Sequence, residues 1–102
     1  MIEALAADVQ NAEIPTEFFL EQNYPNPFNP STTIQFGVPH TAVVKIDVFD
    51  VTGRHAVSLL NEPMQPGVHS VVWNCSQCPS GMYIVRMQTD EKTMMRKMLM
   101  MK

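Results

Sequence analysis

With 102 residues, the chain is long enough for one domain, and a domain of this size removes about two-thirds of its unfolded surface from water. The formal net charge is −3 and the charged residues are mixed along the chain, so there is no basic stripe to neutralise phosphates, which excludes nucleic acid as a partner. The longest apolar run is far shorter than the ~20 residues that cross a bilayer as a helix, which excludes a transmembrane segment.

The first part of the chain carries little structural signal. Residues 1–18 mix small, acidic and amide side chains, and their apolar spacing is too weak to predict a firm helix. We expect them to form a linker or N-terminal arm, followed by one domain over residues 19–102. The apolar residues at 18–20 predict a short strand that leads into the domain.

Residues 22–34 have the sequence QNYPNPFNPSTTI, which we call the Pro/Asn motif. Its prolines remove amide donors and push the preceding residues toward extended geometry, so the motif cannot be a helix. We expect Tyr24 and Phe28 to dock on the core, and the asparagines to hydrogen-bond neighbouring backbone. The predicted structural residues of this extended arm are Asn23, Tyr24, Pro25, Asn26, Pro27, Phe28, Asn29 and Pro30.

Beyond the motif, apolar residues alternate with polar ones, and this period of two predicts strands separated by turns. The turn at 50–54 contains Gly53, which can adopt a positive φ and close a hairpin. We predict an all-β, antiparallel sandwich of six to seven strands. The main predicted strands are 34–38, 43–50, 55–60, 68–73, 82–88 and 93–101, with loops at 61–67 and 74–81 and a turn at 89–92.

Several motifs occur in the order found in one family. They are the long segment 20–34, then 48–54, 67–69 with Trp73, 80–83 and 96–98. On these residues the chain strongly resembles the C-terminal sorting domain of the type IX secretion system, an Ig-like module of exported proteins. The resemblance covers about residues 19–102. It implies an Ig-like β-sandwich in which Gly53 and Gly81 hold turns.

The resemblance also implies a function. Modules of this family are recognised in the periplasm, guide their cargo across the outer membrane and are often cleaved during attachment to surface lipopolysaccharide. The implied partners are the secretion translocon and sortase proteins, with contact to cell-surface lipopolysaccharide. The implied recognition element is the basic and apolar end of the last strand, which comprises Arg96, Lys97, Met98, Leu99, Met100, Met101 and Lys102.

Cys75 and Cys78 form a C-x-x-C pair where the family usually has an acidic-glycine turn. A zinc site needs about four ligands, and His40, His55 and His69 stand at no recognised spacing. Catalytic redox chemistry would place the pair at the start of a helix, and none is predicted after it. A local disulfide formed outside the cytoplasm is favoured, and so short a loop contributes only about 2 kcal/mol.

Methionine is concentrated near the end of the chain. Clustered thioethers bind Cu(I), but methionine more often fills gaps in a core or forms an adaptable contact surface. We therefore predict no metal and no cofactor, with one face of the last strand serving the core and the other free for a partner. One face carries Met94, Met98 and Met100, and the other carries Met95, Leu99 and Met101.

The carboxylates offer no catalytic constellation. Asp47 with Asp50, and Glu62 with Asp90, are the candidate pairs for hydrolytic chemistry. Carboxylates at strand ends and turns are usually solvated or capping, and no nucleophile, base and orienting group can be assembled from the remaining side chains. We therefore predict that the domain is not an enzyme.

Two other functions remain open. The same fold could be a retained structural or adhesion subunit of a larger cell-envelope or extracellular assembly, held through its N-terminal arm and methionine-rich edge. Alternatively it could be a carbohydrate-binding accessory module, in which Trp73 would contact the sugar. A tryptophan in a β-sandwich is nevertheless expected in the core by default.

Overall fold

The computed structural model describes residues 14–102, which form two antiparallel sheets and contain no helix. The strands are β1 (Phe19–Leu20), β2 (Ser31–Val38), β3 (Ala42–Asp50), β4 (His55–Met64), β5 (Gly67–Asn74), β6 (Gly81–Gln88) and β7 (Thr93–Met100). One sheet has the strand order β1-β2-β5 and the other the order β4-β3-β6-β7. The predicted all-β sandwich is confirmed.

The core lies between the sheets and is built from alternate residues of each strand. On β2 the buried hydrophobic residues are Ile34, Phe36 and Val38, as the period of two predicts. Each fully buried side chain of this kind stabilises the fold by about 1.5–3 kcal/mol relative to its exposed state. From the facing sheet come Val44, Ile46, Val48, Val85, Met87, Met98 and Met100, all of them fully buried.

The strand after the first hairpin is longer than the sequence predicts. Residues 61–64, expected in a loop, continue β4, and Pro63 pairs with Val43 of β3. Because β4 is the edge of its sheet, it has one side without a partner, and a proline there need not remove a hydrogen bond of the sheet. The loop that was expected at 61–67 is therefore reduced to Gln65 and Pro66.

Two glycines hold positions that a side chain would disturb. Gly53, in the turn after β3, has a φ of 90°, as its place in a predicted hairpin turn suggested. Gly37 was not recognised from the sequence. A Cβ atom there would lie 2.1 Å from the ring of Phe19, which packs across the backbone of β2.

Core packing includes the residue just before the predicted domain. Phe18 is only 3% exposed and belongs to the core, with its ring centroid 5.5 Å from that of His40. Residues 1–13, the larger part of the predicted linker, lie outside the described residues. No helix within residues 14–102 is long and apolar enough to cross a membrane.

Candidate recognition site: the last strand and the Pro/Asn motif

The last strand, β7, is an edge of the four-stranded sheet and pairs with β6 along its whole length. The register runs without a shift from Gly81 opposite Met100 to Gln88 opposite Thr93. One side of the β7 backbone is therefore bonded to β6. The other side would face solvent unless another part of the chain covered it.

The Pro/Asn motif covers that free side. The side chain of Gln22 donates a hydrogen bond to the Lys97 carbonyl at 2.6 Å, and the Leu99 amide donates to the Asn26 side chain at 3.0 Å. The Phe28 amide donates to the Leu99 carbonyl, and the Met101 amide donates to the Phe28 carbonyl, both at 3.0 Å. The edge of β7 is thus closed from Lys97 to Met101.

Internal hydrogen bonds give the motif its shape. Asn23 is 2% exposed, and its amide group donates to the Pro25 carbonyl at 3.1 Å and to the Thr32 hydroxyl at 2.9 Å. The Thr32 hydroxyl donates in turn to the Pro25 carbonyl at 2.9 Å. The Asn23 side-chain oxygen accepts from the side-chain amide of Gln22 at 2.8 Å. All the polar atoms of this buried pair therefore have hydrogen-bond partners, and these bonds fix the shape of the loop.

The two aromatic residues of the motif have different environments. Phe28 is 2% exposed and packs 5.5 Å, centroid to centroid, from the indole of Trp73. Tyr24 is 79% exposed, although its backbone pairs with Thr33. The prediction that both rings dock on the core is therefore correct for Phe28 and wrong for Tyr24. Only one apolar anchor is needed, because hydrogen bonds hold the rest of the motif.

The residues predicted to form the recognition element divide into two groups. Met98 and Met100 are fully buried, so in the folded domain they belong to the core and a partner cannot touch them. Arg96, Lys97, Met101 and Lys102 are exposed, and Leu99 is half-buried. Arg96 also ties the sheets together, because its Nε donates to the Leu20 carbonyl at 2.9 Å.

The last two residues extend beyond β7 and contact other segments. Lys102 donates its amide to the Ser80 hydroxyl and its Nζ to the Ser76 carbonyl, both at 2.9 Å. Both acceptors belong to the loop between β5 and β6. This loop contains a disulfide between Cys75 and Cys78, whose Cα atoms lie 5.4 Å apart.

A polar cluster lies on the outer face of β3 and β4 around Asp47, which the sequence indicated to be a solvated or capping carboxylate. The Ser58 hydroxyl donates to Asp47 at 2.6 Å, and Nε2 of His55 lies 3.1 Å from the same oxygen and 3.2 Å from the Ser58 hydroxyl. Burial raises the pKa of Asp47, but the hydrogen bonds from Ser58 and His55, together with nearby charges that include the Arg86 guanidinium at 3.7 Å, outweigh burial and hold the pKa below its ordinary value of 3.8.

This cluster does not form a catalytic relay. In a relay the carboxylate and the nucleophile bind opposite ring nitrogens of the histidine, whereas here one nitrogen faces both Asp47 and Ser58. The other candidate, Asp50, accepts bonds from the Thr52 hydroxyl and amide and from the Arg54 amide. The Thr52 hydroxyl, above all, lowers the pKa of Asp50, which acts as a turn cap. Within residues 14–102 no cluster of potential metal ligands is present.

Trp73 belongs to the core and is only 4% exposed. Its ring lies between Phe28 and Tyr83, with a centroid distance of 5.1 Å to the latter. A sugar stacks on an exposed aromatic face, and Trp73 offers none. The core position expected for a sandwich tryptophan is confirmed, and sugar binding through this residue is not supported.

Fold and site define a small β-sandwich module whose distinctive surface is a strand edge closed by a motif from the start of the domain. The family model described as the secretion system C-terminal sorting domain matches residues 22–101, and the chain belongs to this family, the sorting domains of the type IX secretion system. Such a domain directs export to the cell surface or secretion. No curated protein matches the chain.

Proposed function

We propose that the type IX translocon recognises the end of β7 and the Pro/Asn motif as one folded surface. The observation that supports this proposal is the closed edge of β7. Because the backbone from Lys97 to Met101 is already bonded to the motif, a partner meets side chains there and not a free strand edge. The exposed side chains at this surface are those of Arg96, Lys97, Met101 and Lys102, together with the half-buried Leu99.

In this proposal the domain contributes no catalysis of its own. It acts after the precursor reaches the periplasm, directs the cargo across the outer membrane and presents it to sortase proteins that attach it to surface lipopolysaccharide. The carboxylates of Asp47 and Asp50 support this view, since both accept hydrogen bonds from neighbouring residues.

We also propose where the domain separates from its cargo. Ile14, Thr16 and Glu17 are exposed, whereas Phe18 is in the core, so cleavage would fall before Phe18. Intact-mass spectrometry of the surface-exposed protein tests this. A mature species that lacks the sequence from about Phe18 onward is expected, whereas a species that keeps the whole domain would favour the alternative of a retained structural subunit.

The recognition proposal is tested by export of a reporter that carries the 102-residue chain at its C-terminus, in a host with a type IX system. Deleting residues 98–102 would remove Met98 and Met100 from the core, so surface substitutions are more informative. The double variant K97E/M101E should reduce surface reporter about tenfold, because it places acidic groups where a partner meets a cation and an apolar side chain.

The matched control is Val43→Glu, at an exposed apolar position on β3, two strands away from β7, with an exposure of 53%. It should leave export unchanged. Normal export of K97E/M101E, with the domain folded, would contradict recognition at this surface.

A further inference from the structure

The loop between β5 and β6 holds the end of the chain in the position that the recognition proposal requires. Lys102 lies beyond β7 and has no sheet partner, and the hydrogen bonds of its amide and its Nζ both end on this loop, at Ser80 and Ser76. The position of Lys102 therefore depends on how well residues 75–80 are fixed.

The loop is attached to the sandwich at its two ends. The Cys75 amide donates to the Pro30 carbonyl at 3.2 Å, which joins the loop to the Pro/Asn motif, and the Tyr83 hydroxyl donates to the Pro79 carbonyl at 2.7 Å. Between these attachments, the disulfide closes the segment that contains Ser76. Within this segment the Cys78 amide donates a hydrogen bond to the Cys75 carbonyl at 3.3 Å. The Ser76 carbonyl that accepts from Lys102 thus lies inside the disulfide ring.

The disulfide can be reached from solvent. Both cysteines are half-buried and line a cavity of about 480 Å³ on the side of the sandwich where the edges of β4 and β5 lie, and the other walls include Val57, Leu59 and Val72. Exchange requires an external thiolate to approach a sulfur atom, and this cavity provides the approach. Reduction would not remove a core side chain, because the sheets pair independently of the loop.

We propose that the Cys75–Cys78 pair is a redox switch that positions Lys102, so that this residue is held against the loop between β5 and β6 only when the disulfide is formed. In the closing step a disulfide oxidant accepts two electrons and the two thiol protons from Cys75 and Cys78 and leaves as a dithiol. In the opening step a dithiol reductant gives two electrons and two protons back to Cys75 and Cys78 and leaves as a disulfide. Because thiols stay reduced in the cytoplasm, the recognition surface is completed only after the chain leaves that compartment.

The biological meaning of this switch rests on the proposed recognition function, but its structural part can be tested alone. The experiment compares the full 102-residue chain with and without dithiothreitol, by residue-resolved hydrogen exchange and by intact mass. Reduction should add the mass of two hydrogens. It should also raise the exchange rate of the Lys102 amide about tenfold, because the loss of one hydrogen bond changes an equilibrium by about this factor. The amides of Val48 and Val85 in the core should not change.

Two variants separate the disulfide from the contacts it supports. C75S/C78S should show the faster Lys102 exchange without reductant and no response to it. Ser80→Ala keeps the disulfide but removes the acceptor of the Lys102 amide, so exchange there should be fast in both redox states. The wild-type comparison remains valid even where C75S/C78S folds poorly.

Three results would overturn the switch. The first is an unchanged mass after treatment with dithiothreitol. The second is an unchanged exchange rate of the Lys102 amide in a chain whose mass shows that it is reduced. The third is an equal acceleration of exchange at the core amides, which would mean that the whole domain loosens. Reporter export distinguishes this failure from failure of the recognition proposal. If Lys102 exchange responds as expected but K97E/M101E is exported normally, the switch stands and the recognition proposal fails.

Discussion

The four-stranded sheet has two edges, β4 and β7, and they are protected in different ways. Along β4 the protection is local, since the strand carries Pro63, the exposed Glu62 and a register with two irregularities against β3. Along β7 the protection comes from the Pro/Asn motif, which lies up to 75 residues earlier in the chain. Proline, charge and bulges are the usual means by which a protein blocks an edge. Of these, β7 has only the charges of the exposed Arg96 and Lys97, with no proline and no shift in its register against β6.

This difference shows why a methionine-rich strand can end a stable domain. The backbone of β7 is satisfied only after the chain has folded back onto it, so its order depends on the motif. The edge of β4 needs no such partner. Changes in the motif should therefore loosen β7 and leave β4 intact, while changes on β4 should have the opposite effect.

The largest effect is expected from Phe28→Ala. The substitution empties a core position beside Trp73 and frees the backbone that pairs with Leu99 and Met101, so unfolding free energy should fall by about 3–5 kcal/mol in denaturant titrations. Tyr24→Ala, in the same motif but 79% exposed, is the control and should change stability by less than about 0.5 kcal/mol. Equal losses in the two variants would mean that Phe28 is not the anchor.

A pH-dependent effect is expected on the β4 side, where Asp47 of β3 binds Ser58 of β4. Because the pKa of Asp47 is lowered in the folded state, its contribution is complete above pH 3.8 and is lost as the pH falls through the lower folded value. Asp47→Asn should cost about 1–2 kcal/mol at pH 7 and progressively less below pH 3.8.

Denaturant titrations of wild type and variant over this pH range measure the difference. The control Asp90→Asn, at an exposed turn position, should show no comparable difference at either end of the range. A loss for Asp47→Asn that is constant with pH would contradict an ionised carboxylate as the acceptor.

A smaller effect, confined to β7, is expected from Asn26→Ala. The Leu99 amide loses its acceptor, so stability should fall by about 1 kcal/mol and hydrogen exchange at Leu99 should accelerate, with no change along β4. Asn29→Ala is the matched control, because Asn29 is exposed in the same motif. If exchange became faster in β4, or did not become faster in β7, Asn26 would not be holding the edge of β7.

The smallest change in stability is expected from Pro63→Val on β4. The new residue suits a strand, so the free energy of unfolding should shift by less than about 0.5 kcal/mol. It removes one of the features that block this edge, so self-association should increase in sedimentation experiments. A variant that stays monomeric at high concentration would show that Pro63 does not protect this edge.

Much of the fold could be predicted from alternation and turn chemistry. The residues of β2, β3 and β6 alternate so regularly that their buried faces follow from the sequence, and Gly53 marks its turn. The end of β4 could not be predicted in this way. Pro63 reads as a loop signal, and only its place at a sheet edge makes it acceptable in a strand.

The site was less accessible to sequence reasoning. Its two parts, the Pro/Asn motif and residues 96–102, were both recognised, but no local pattern says that they touch. Asn26 looked like a residue for a neighbouring turn, whereas its side chain accepts from Leu99, 73 residues away. Likewise, alternation placed Met98 and Met100 on one face, but which face is buried is decided by the opposite sheet.

Hydrogen exchange at the Leu99 and Met101 amides of the wild-type chain shows whether the Pro/Asn motif closes the edge of β7. Both amides point away from β6, and among residues 14–102 their acceptors are the Asn26 side chain and the Phe28 carbonyl. If the motif closes the edge, these amides exchange within about tenfold of the Met98 and Met100 amides, which are held within the sheet. Exchange at the rate of free edge amides would mean that the motif leaves this edge open.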